Sequence, residues 1–301
     1  MGTPTLCCLG NEESLENFLM ESIGVSRQRL KKSDLSKNYL KSNLKSRQEL
    51  FLPTSILNVG MISADYNGPP IEILYEDDLI LAVNKPGQIH CHPLSYDEHD
   101  NLLSGLRSMK KFEVLRVNKD QYDRGLLHRL DFETSGVVLL AKNDDIYTAA
   151  REHAEFMKRK EYFCLVEGHF AEGEEHMHFL KPSGAKGSKQ IVVDDSPHRA
   201  FMRTKLAHYN EEKNVSLVWV ELVTGIRHQI RVQMSALGFP LIGDTFYGGA
   251  EAPRLFLHSY HYSFLVNQQI YNVTAERAPL FLDFLNLDSG LEVLGDKRLI
   301  R

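Results

Sequence analysis

The chain has 301 residues, enough for about two domains and at least one sizeable hydrophobic core. Hydrophobic residues at 43% and charged residues at 25% are close to globular averages, and the net charge of −5 gives the chain as a whole no affinity for polyanions. No run approaches the about 18 apolar residues of a membrane helix, and the N-terminus lacks the basic start and apolar stretch of a secretory signal, so neither a membrane span nor secretion is expected.

The N-terminal part of the chain predicts a small module. Residues 1–13 show no periodicity and are expected to be a loose terminus. Residues 14–67 carry two short helical patterns, separated at Gly24, followed by alternating residues that predict short strands. A Gly-Pro-Pro sequence at residues 68–70 is typical of a linker, so the main domain is expected over residues 68–301.

A basic run lies inside this module, between Ser26 and Arg47. It holds eight lysines and arginines against the single acidic residue Asp34. The eight cations are Arg27, Arg29, Lys31, Lys32, Lys37, Lys41, Lys45 and Arg47. Such a run is as compatible with a solvated helix face as with contacts to nucleic-acid phosphates.

The remainder of the chain alternates strand and helix patterns. Apolar runs predict strands over residues 71–78, 79–86, 137–142, 162–168 and 215–223. Helical spacing predicts helices over residues 101–109, 144–156 (with Asp144 as cap) and 225–237. Because hairpin-like turns as well as helices connect the strands, the pattern favours an α+β fold with a mixed, largely antiparallel sheet.

The soft metal ligands do not form a recognisable metal site. The four cysteines, at positions 7, 8, 91 and 164, contain no Cys-x-x-Cys pair, which indicates neither a disulfide framework nor a zinc ribbon and suits a reducing cytoplasm. In His90-Cys91-His92, adjacent side chains would point to opposite faces of a strand. No glycine-rich phosphate loop occurs, so we expect no metal ion and no nucleotide cofactor.

Two polar segments could carry chemistry. Asp131 precedes a buried strand, with Thr134 and Ser135 beside it, which would fix an acid at the end of a sheet, although an ordinary turn aspartate has the same signature. Arg227 and Arg231 lie four residues apart and are expected on one helix face. A half-buried arginine requires a carboxylate or phosphate partner, and a structural ion pair would satisfy this as well as a functional site.

Four segments in combination resemble one family. HRLDFETSG, KEYFCLVEG and TGIRHQIRVQMSALGFPLIGDTFYGG, preceded by EILYEDDLILAVNKPG, closely resemble the RluA-type pseudouridine synthases, in family order, from Ile71 to His258. The resemblance implies the pseudouridine synthase fold, a large curved mixed sheet flanked by helices, with an RNA-binding cleft. It also implies isomerisation of uridine to pseudouridine in RNA without any cofactor.

The resemblance assigns roles residue by residue. Asp131 matches the catalytic aspartate, and Arg129 matches the arginine that helps to occupy the space of the flipped nucleotide. Tyr162 matches the active-site tyrosine, and Arg231 the basic residue that pairs with the aspartate. Asp131, Tyr162 and Arg231 are therefore the predicted catalytic residues, and Arg129 and Arg227 are predicted RNA contacts.

The third segment departs from the family at two positions. The family usually has arginine directly after Thr-Gly and histidine after the last Arg-Val, where this chain has Ile226 and Gln233. Arg227 could substitute for the arginine that is missing at position 226. The departures affect expected RNA contacts rather than the reaction.

The N-terminal module is similar to the small RNA-binding domain, named after a ribosomal protein, that is often fused to these synthases. Its usual Val-Asn-Gly hairpin is replaced by NLKSRQ. This similarity favours RNA contacts for the basic run, above all for Arg27, Arg29, Lys31 and Lys32. We expect a monomeric enzyme that modifies ribosomal rather than transfer RNA; the alternative is a non-enzymatic RNA-binding or ribosome assembly factor that keeps the fold.

Overall fold

The computed structural model describes most of the chain, in two compact units. The described residues are 5–7, 14–22, 25, 27–53, 56, 62–94, 98–119, 121–152, 156–170, 173–266, 268–275 and 281–285. The first unit consists of Met1–Gly68 and His92–Arg124, the second of Pro69–Cys91 and Gly125–Arg301. Residues 92–124 thus pack within the first unit, and a single catalytic domain over residues 68–301 stays a prediction.

The first unit is mostly helical. Its elements are β1 (Thr5–Cys7), α1 (Leu15–Asn17) with a π-helical turn (Phe18–Ser22), α2 (Arg27–Lys32), α3 (Lys37–Leu40), β2 (Glu49–Phe51), α4 (Leu102–Ser108) and α5 (Phe112–Arg116). Ser14 and Ser36 cap α1 and α3 by accepting backbone N–H groups at 3.1 and 3.2 Å. The buried core includes Leu15, Leu19, Leu30, Leu40, Leu44, Leu50 and Leu52.

Two expectations for this unit need correction. β1 pairs antiparallel with β2, so the segment expected to be a loose terminus contains a strand. Three residues are too few for a strand pattern to be visible in the sequence. Of the strands expected near residues 50–67, only β2 is found in the described residues; residues 54–55 and 57–61 lie outside them.

The second unit is built on a large sheet. Its elements are β3 (Glu72–Glu76), β4 (Ile80–Lys85), β5 (Ser135–Ala141), α6 (Asp144–Glu152), β6 (Met157–Glu167), β7 (Glu175–Ser183), β8 (Lys189–Val193), β9 (His198–Asn210), β10 (Val215–Leu222), α7 (Gln229–Ala236), β11 (Leu257–Val266), β12 (Gln269–Thr274) and α8 (Phe281–Leu285). Short 3-10 turns occur at Ala185–Gly187 and Thr245–Tyr247.

The sheet is mixed and open. Its ten strands follow the order β3-β4-β5-β11-β6-β10-β9-β7-β8, and β12 pairs with β11. Among the described strand pairs, β11 and β5 are parallel and the others are antiparallel. The predicted α+β fold with a largely antiparallel sheet is therefore confirmed.

Residue alternation separates the two faces of this sheet. Phe163 and Trp219 are paired in β6 and β10 and belong to the hydrophobic core that also contains Phe256 and Phe281. Their neighbour Tyr162 therefore points to the opposite face. Helix α7 packs on that opposite face, where Val232 joins a cluster with Leu180 and Ala200. The sheet and α7 thus bring Tyr162 and the arginines of the helix region to one side of the unit.

Two predicted helices begin differently from expectation. Asn143, rather than Asp144, caps α6: its side-chain oxygen accepts the N–H of Ile146 at 2.9 Å, and Asp144 is already helical. Helix α7 begins at Gln229, four residues after the predicted start. No helix in the described ranges is long and apolar enough to cross a membrane.

Candidate active site

Asp131 lies in a loop just before β5, and backbone contacts on both sides fix its position. The N–H of Gln88 donates to the carbonyl of Phe132 at 2.8 Å. The Sγ of Cys91 accepts the N–H of Leu130 at 3.3 Å. The loop that follows β4 therefore holds the residues on either side of Asp131.

Lys85 makes a third contact with the Asp131 loop. Its side chain is fully buried, and its Nζ donates to the carbonyls of Pro86 and Ile89 at 2.9 Å and of Phe132 at 3.3 Å. Burial lowers the pKa of Lys85 to about 8. One buried cation therefore joins the β4 loop to the Asp131 loop through three carbonyl groups.

Gly136 explains why β5 can begin so close to β11. It has a φ of +116°, and a Cβ atom at this position would lie 2.1 Å from the carbonyl oxygen of Ser259. Only glycine permits this approach. The approach forms the short parallel pairing of β5 with β11, which fixes where the Asp131 loop enters the sheet.

Arg231 is buried in α7 and is held by three carboxylates. Its Nε and Nη2 form a bidentate pair with Asp244 at 2.7 and 2.8 Å. Its Nη1 lies 3.2 Å from Glu133 Oε2 and 3.7 Å from Asp131 Oδ2. The expected pairing of Arg231 with Asp131 is thus present only as a long contact, and the tight partner is Asp244, which the sequence analysis did not single out.

The Asp131 carboxyl group is more strongly affected by burial than by the cations around it. Its side chain is 22% exposed. Burial raises its pKa to about 6, and this outweighs the opposing effect of Arg231. Glu133 raises the pKa further, whereas Arg227 and Lys85 lower it. The group is therefore mostly ionised at pH 7 but protonates in mild acid.

His228 faces Asp131 from the start of α7. Its Nε2 lies 3.8 Å from Asp131 Oδ1, and its Nδ1 lies 2.9 Å from the hydroxyl oxygen of Tyr247. Burial, followed by Arg231 and Arg227, lowers the pKa of His228 to about 4. The sequence analysis did not identify His228, because its role depends on contacts that sequence spacing does not show.

Tyr162 lies on β6 with a buried ring. Its hydroxyl group is 2.6 Å from the hydroxyl group of Tyr262 on β11. Burial raises the pKa of Tyr162 to about 12, so it is a neutral phenol at physiological pH. Tyr262, which the sequence analysis did not single out, is its hydrogen-bond partner.

The other predicted contact residues lie at the surface. Arg129 is exposed, two residues before Asp131. Arg227 is also exposed and precedes α7, where its guanidinium group contacts the carbonyl of Gly187. Arg227 therefore does not share a helix face with Arg231, because His228 between them has a left-handed backbone with a φ of +56°.

The departure at Gln233 has a structural explanation. Gln233 is fully buried, and its Nε2 contacts the Nδ1 of His178 at 3.0 Å and donates to the carbonyl of Ala200 at 3.2 Å. This side chain joins α7 to β7 and β9. It is therefore not available as an RNA contact.

Six cations of the basic run are exposed in the first unit. They are Arg27, Lys31, Lys37, Lys41, Lys45 and Arg47. Arg29 and Lys32 belong to α2, but their side chains lie outside the described residues. The exposed cations leave a positively charged surface open to solvent.

The sequence between residues 79 and 236 decides the family. Residues 79–236 match the model of the RNA pseudouridylate synthase family, and this match includes Asp131, Tyr162 and Arg231. The chain belongs to the RNA pseudouridine synthase family. It is therefore an isomerase that acts on RNA, and the predicted RluA-type relationship and enzyme class are confirmed.

Two relatives each match about two thirds of the chain of this pseudouridine synthase. The dual-specificity RNA pseudouridine synthase RluA of Vibrio parahaemolyticus is 33% identical over 217 residues, 68% of this chain and 82% of that protein. The ribosomal large subunit pseudouridine synthase D of Zymomonas mobilis is 31% identical over 181 residues, 60% of this chain and 56% of that protein.

A solved structure shares the fold. Human RNA Pseudouridylate Synthase Domain Containing 1 matches this synthase with a TM-score of 0.59 and 22% identity, over 76% of this chain and 95% of that chain. The family match begins at residue 79, so the similarity of residues 14–67 to a known RNA-binding domain stays a prediction.

Proposed function

We propose that this synthase isomerises specific uridines in a structured RNA with Asp131 as its catalytic aspartate. The proposal rests on the groups that surround the Asp131 carboxylate and on their distances from it. Two donors flank it on different oxygens, His228 Nε2 at 3.8 Å and Arg231 Nη1 at 3.7 Å, both beyond hydrogen-bond distance. An ionised carboxylate with free lone pairs is a competent nucleophile or base.

The reaction rearranges uridine without adding or removing atoms. The bond between N1 of uracil and C1′ of ribose breaks, the uracil turns, and a bond between C5 and C1′ forms. C5 then loses its proton and N1 carries one. Asp131 acts in this sequence either as a nucleophile or as a base toward the ribose.

The proposed roles of the remaining residues follow from whether each side chain is exposed to RNA or held inside the site. Arg129, exposed beside Asp131, would fill the gap that the target nucleotide leaves when it is flipped out of the RNA. Arg227, exposed at the start of α7, would contact phosphate. Arg231, already held by Asp244 and Glu133, would stabilise the negative charge of Asp131 from a fixed position. Tyr162 would contact the uracil.

We propose ribosomal RNA as the substrate. One relative is named as a ribosomal large subunit enzyme and another as dual-specificity, and the exposed basic run suits a large polyanionic target. We further propose that the enzyme acts as a monomer in the cytoplasm, where the buried thiols of Cys91 and Cys164 would remain reduced. Mapping pseudouridines in ribosomal and transfer RNA from cells with and without the gene tests this choice; changes confined to transfer RNA would refute it.

Replacement of the carboxylate tests the proposed role of Asp131. In Asp131→Asn the side chain keeps its shape and loses its charge. Release of tritium from RNA labelled at C5 of uridine should fall below about a thousandth of the wild-type rate, as expected for loss of a covalent catalytic group. RNA affinity should be retained. A variant that keeps more than this activity would remove Asp131 from the mechanism.

A further inference from the structure

His228 occupies a position where its backbone is strained and its side chain does not cap the helix. Its φ of +56° is unfavourable for a residue with a Cβ atom. It precedes α7 but makes no capping hydrogen bond. The side chain of Gln229, rather than that of His228, bonds to the residues before the helix. Its Oε1 accepts the N–H of Ile226 at 3.0 Å and the hydroxyl of Thr224 at 2.9 Å. The imidazole of His228 is thus free for another role.

A chain of two hydrogen bonds fixes which nitrogen of His228 carries the proton. The N–H of Gln190 donates to the hydroxyl oxygen of Tyr247 at 2.9 Å, and a backbone N–H can only donate. The hydrogen of the Tyr247 hydroxyl is therefore available for Nδ1 of His228, at 2.9 Å. Tyr247 is buried, and a buried hydroxyl hydrogen without an acceptor is unfavourable. Nδ1 is the acceptor, so the neutral ring carries its proton on Nε2.

Burial and the neighbouring cations keep the ring neutral. Burial is the main cause of its low pKa, and the guanidinium groups of Arg231 and Arg227 act in the same direction. The carboxylates of Glu133 and Asp244 oppose this effect without reversing it. In the physiological range His228 therefore presents a neutral Nε2–H group.

We propose that His228 is a positioning residue whose Nε2–H group donates to Oδ1 of Asp131 and holds the carboxylate in one rotamer. Arg231 faces the other oxygen, Oδ2, so the two donors together define the plane of the carboxylate. Catalytic hydrogen bonds are often long in a free enzyme and tighten when substrate binds, and the proposal requires that the present distance of 3.8 Å shortens in this way. The inference rests on the proposed catalytic role of Asp131.

The tautomer can be measured directly. In protein labelled with ¹⁵N at histidine, the two ring nitrogens of His228 are assigned by their loss in His228→Gln. We expect a protonated Nε2 and an unprotonated Nδ1 between pH 5.5 and 8. A proton on Nδ1, or a doubly protonated ring in this range, would overturn the proposal. This result does not depend on whether the enzyme modifies any particular RNA.

Kinetics test the positioning role. His228→Phe keeps a planar ring but removes the donor, so kcat should fall at least about tenfold, the equivalent of one charge-assisted hydrogen bond, with KM for RNA unchanged. The acid limb of the pH–rate profile should move to higher pH, because Asp131 loses a group that favours its ionised form. His228→Gln, which retains an N–H donor, should recover part of the rate.

A second histidine supplies the matched control. His176 in β7 is also partly buried and bonds to Thr204 at 2.8 Å. His176→Phe should leave the position of the acid limb unchanged. If His228→Phe slows the reaction without moving the limb, its role is structural and the inference is wrong. If the wild-type enzyme forms no pseudouridine, the proposed function fails instead, while the tautomer measurement remains decisive for the ring.

Discussion

At Asp131, desolvation and charge act in opposite directions, and desolvation is the larger effect. Arg231, the cation expected to pair with Asp131, is present, but it is already engaged by Asp244 and Glu133. Its influence on Asp131 is therefore reduced. With Asp131 in its proposed catalytic role, a pKa of about 6 predicts that activity is lost in mild acid.

The effect of Glu133 on this pKa can be tested by removing its charge. Glu133 raises the pKa of Asp131, so Glu133→Gln should lower that pKa. The acid limb of kcat/KM for tritium release should then move to lower pH. Glu152→Gln, an exposed change in α6, should leave the limb in place. A limb that moves to higher pH in Glu133→Gln would contradict the assignment.

The raised pKa also predicts a gain in stability when the charge is removed. The folded protein favours protonated Asp131, so its contribution is present below pH 3.8 and is lost as pH rises through about 6. At pH 7, Asp131→Asn should therefore stabilise the fold by on the order of 2 kcal/mol. Thermal unfolding should show a rise in Tm of about 4 to 8 °C at pH 7, shrinking as pH falls toward 5. A Tm difference independent of pH would refute this explanation.

The roles of the ring and of the hydroxyl group of Tyr162 can be tested separately. A neutral phenol is a poor base, so Tyr162 can take the C5 proton only if its own hydroxyl proton passes on to the Tyr262 hydroxyl group. Tyr262 is also a neutral phenol, so such a relay requires it to release its own proton in the same step, toward N1 of the uracil, which ends the reaction protonated. Tyr162→Phe should then bind RNA normally but fail to release the C5 proton. RNA with 5-fluorouridine has no proton there, so this variant should process it about as well as wild type.

The variant Tyr262→Phe distinguishes a proton relay through the two tyrosine hydroxyl groups from a contact that is only structural. Tyr262→Phe removes the partner hydroxyl and leaves Tyr162 intact, so a relay predicts the same defect in a weaker form. If Tyr162→Phe is fully active on ordinary uridine RNA, Tyr162 acts as a stacking residue only.

At the level of elements, the parallel contact of β5 with β11 depends on Gly136. In Gly136→Ala the added Cβ would meet a backbone carbonyl that cannot move without disrupting the strand pairing. We expect a loss of more than about 3 kcal/mol in denaturant unfolding. Gly238→Ala is the matched control: Gly238 also has a positive φ, +84°, but nothing lies within 4 Å, so only about 1 kcal/mol should be lost. Equal losses would show that backbone conformation, not the contact, is the cause.

Sequence patterns predicted the strands with continuous apolar runs and missed those with mixed composition. β5 is buried at every residue and was visible. β11 contains His258 and Ser259, which are polar yet fully buried. His258 is satisfied by Ser135 at 2.8 Å and by the carbonyl of Ala275 at 3.0 Å. Partners so distant in sequence cannot be inferred from local periodicity.

The candidate site shows the same limit. Family resemblance pointed to Asp131, Tyr162 and Arg231, which the fold brings to one unit. Asp244 and His228 were not identified, although a buried arginine demanded a carboxylate and Asp244 follows Arg231 by 13 residues. The choice between Asp131 and Asp244 as that partner depends on the folded positions of their loops, which the sequence alone does not give.

At the scale of the whole molecule, the exposed basic run predicts salt-dependent RNA binding. Replacing Lys37, Lys41 and Lys45 with glutamine should weaken affinity and reduce the slope of log Kd against log salt concentration. Each lost phosphate contact should reduce the slope by about 0.7 to 0.9. Binding assays from low to moderate salt measure it. An unchanged slope would mean that the run is a solvated surface.

Exposed lysines of the second unit provide the control for this experiment. Lys158, Lys181 and Lys213 are exposed, and their replacement by glutamine changes the net charge equally. The variant with these three replacements should keep the wild-type slope of log Kd against log salt concentration. Substitution is preferable to deleting residues 1–67, because residues 92–124 pack with that segment and would lose its support.

The division of the chain has a consequence for inheritance. The polypeptide passes between the two units three times, after residues 68, 91 and 124. A recombination event at a single junction near residue 68 would exchange only part of the first unit and leave residues 92–124 behind. These residues are encoded between β4 and the Asp131 loop. Exchange of the whole first unit without the second would therefore require junctions at all three crossings rather than at one.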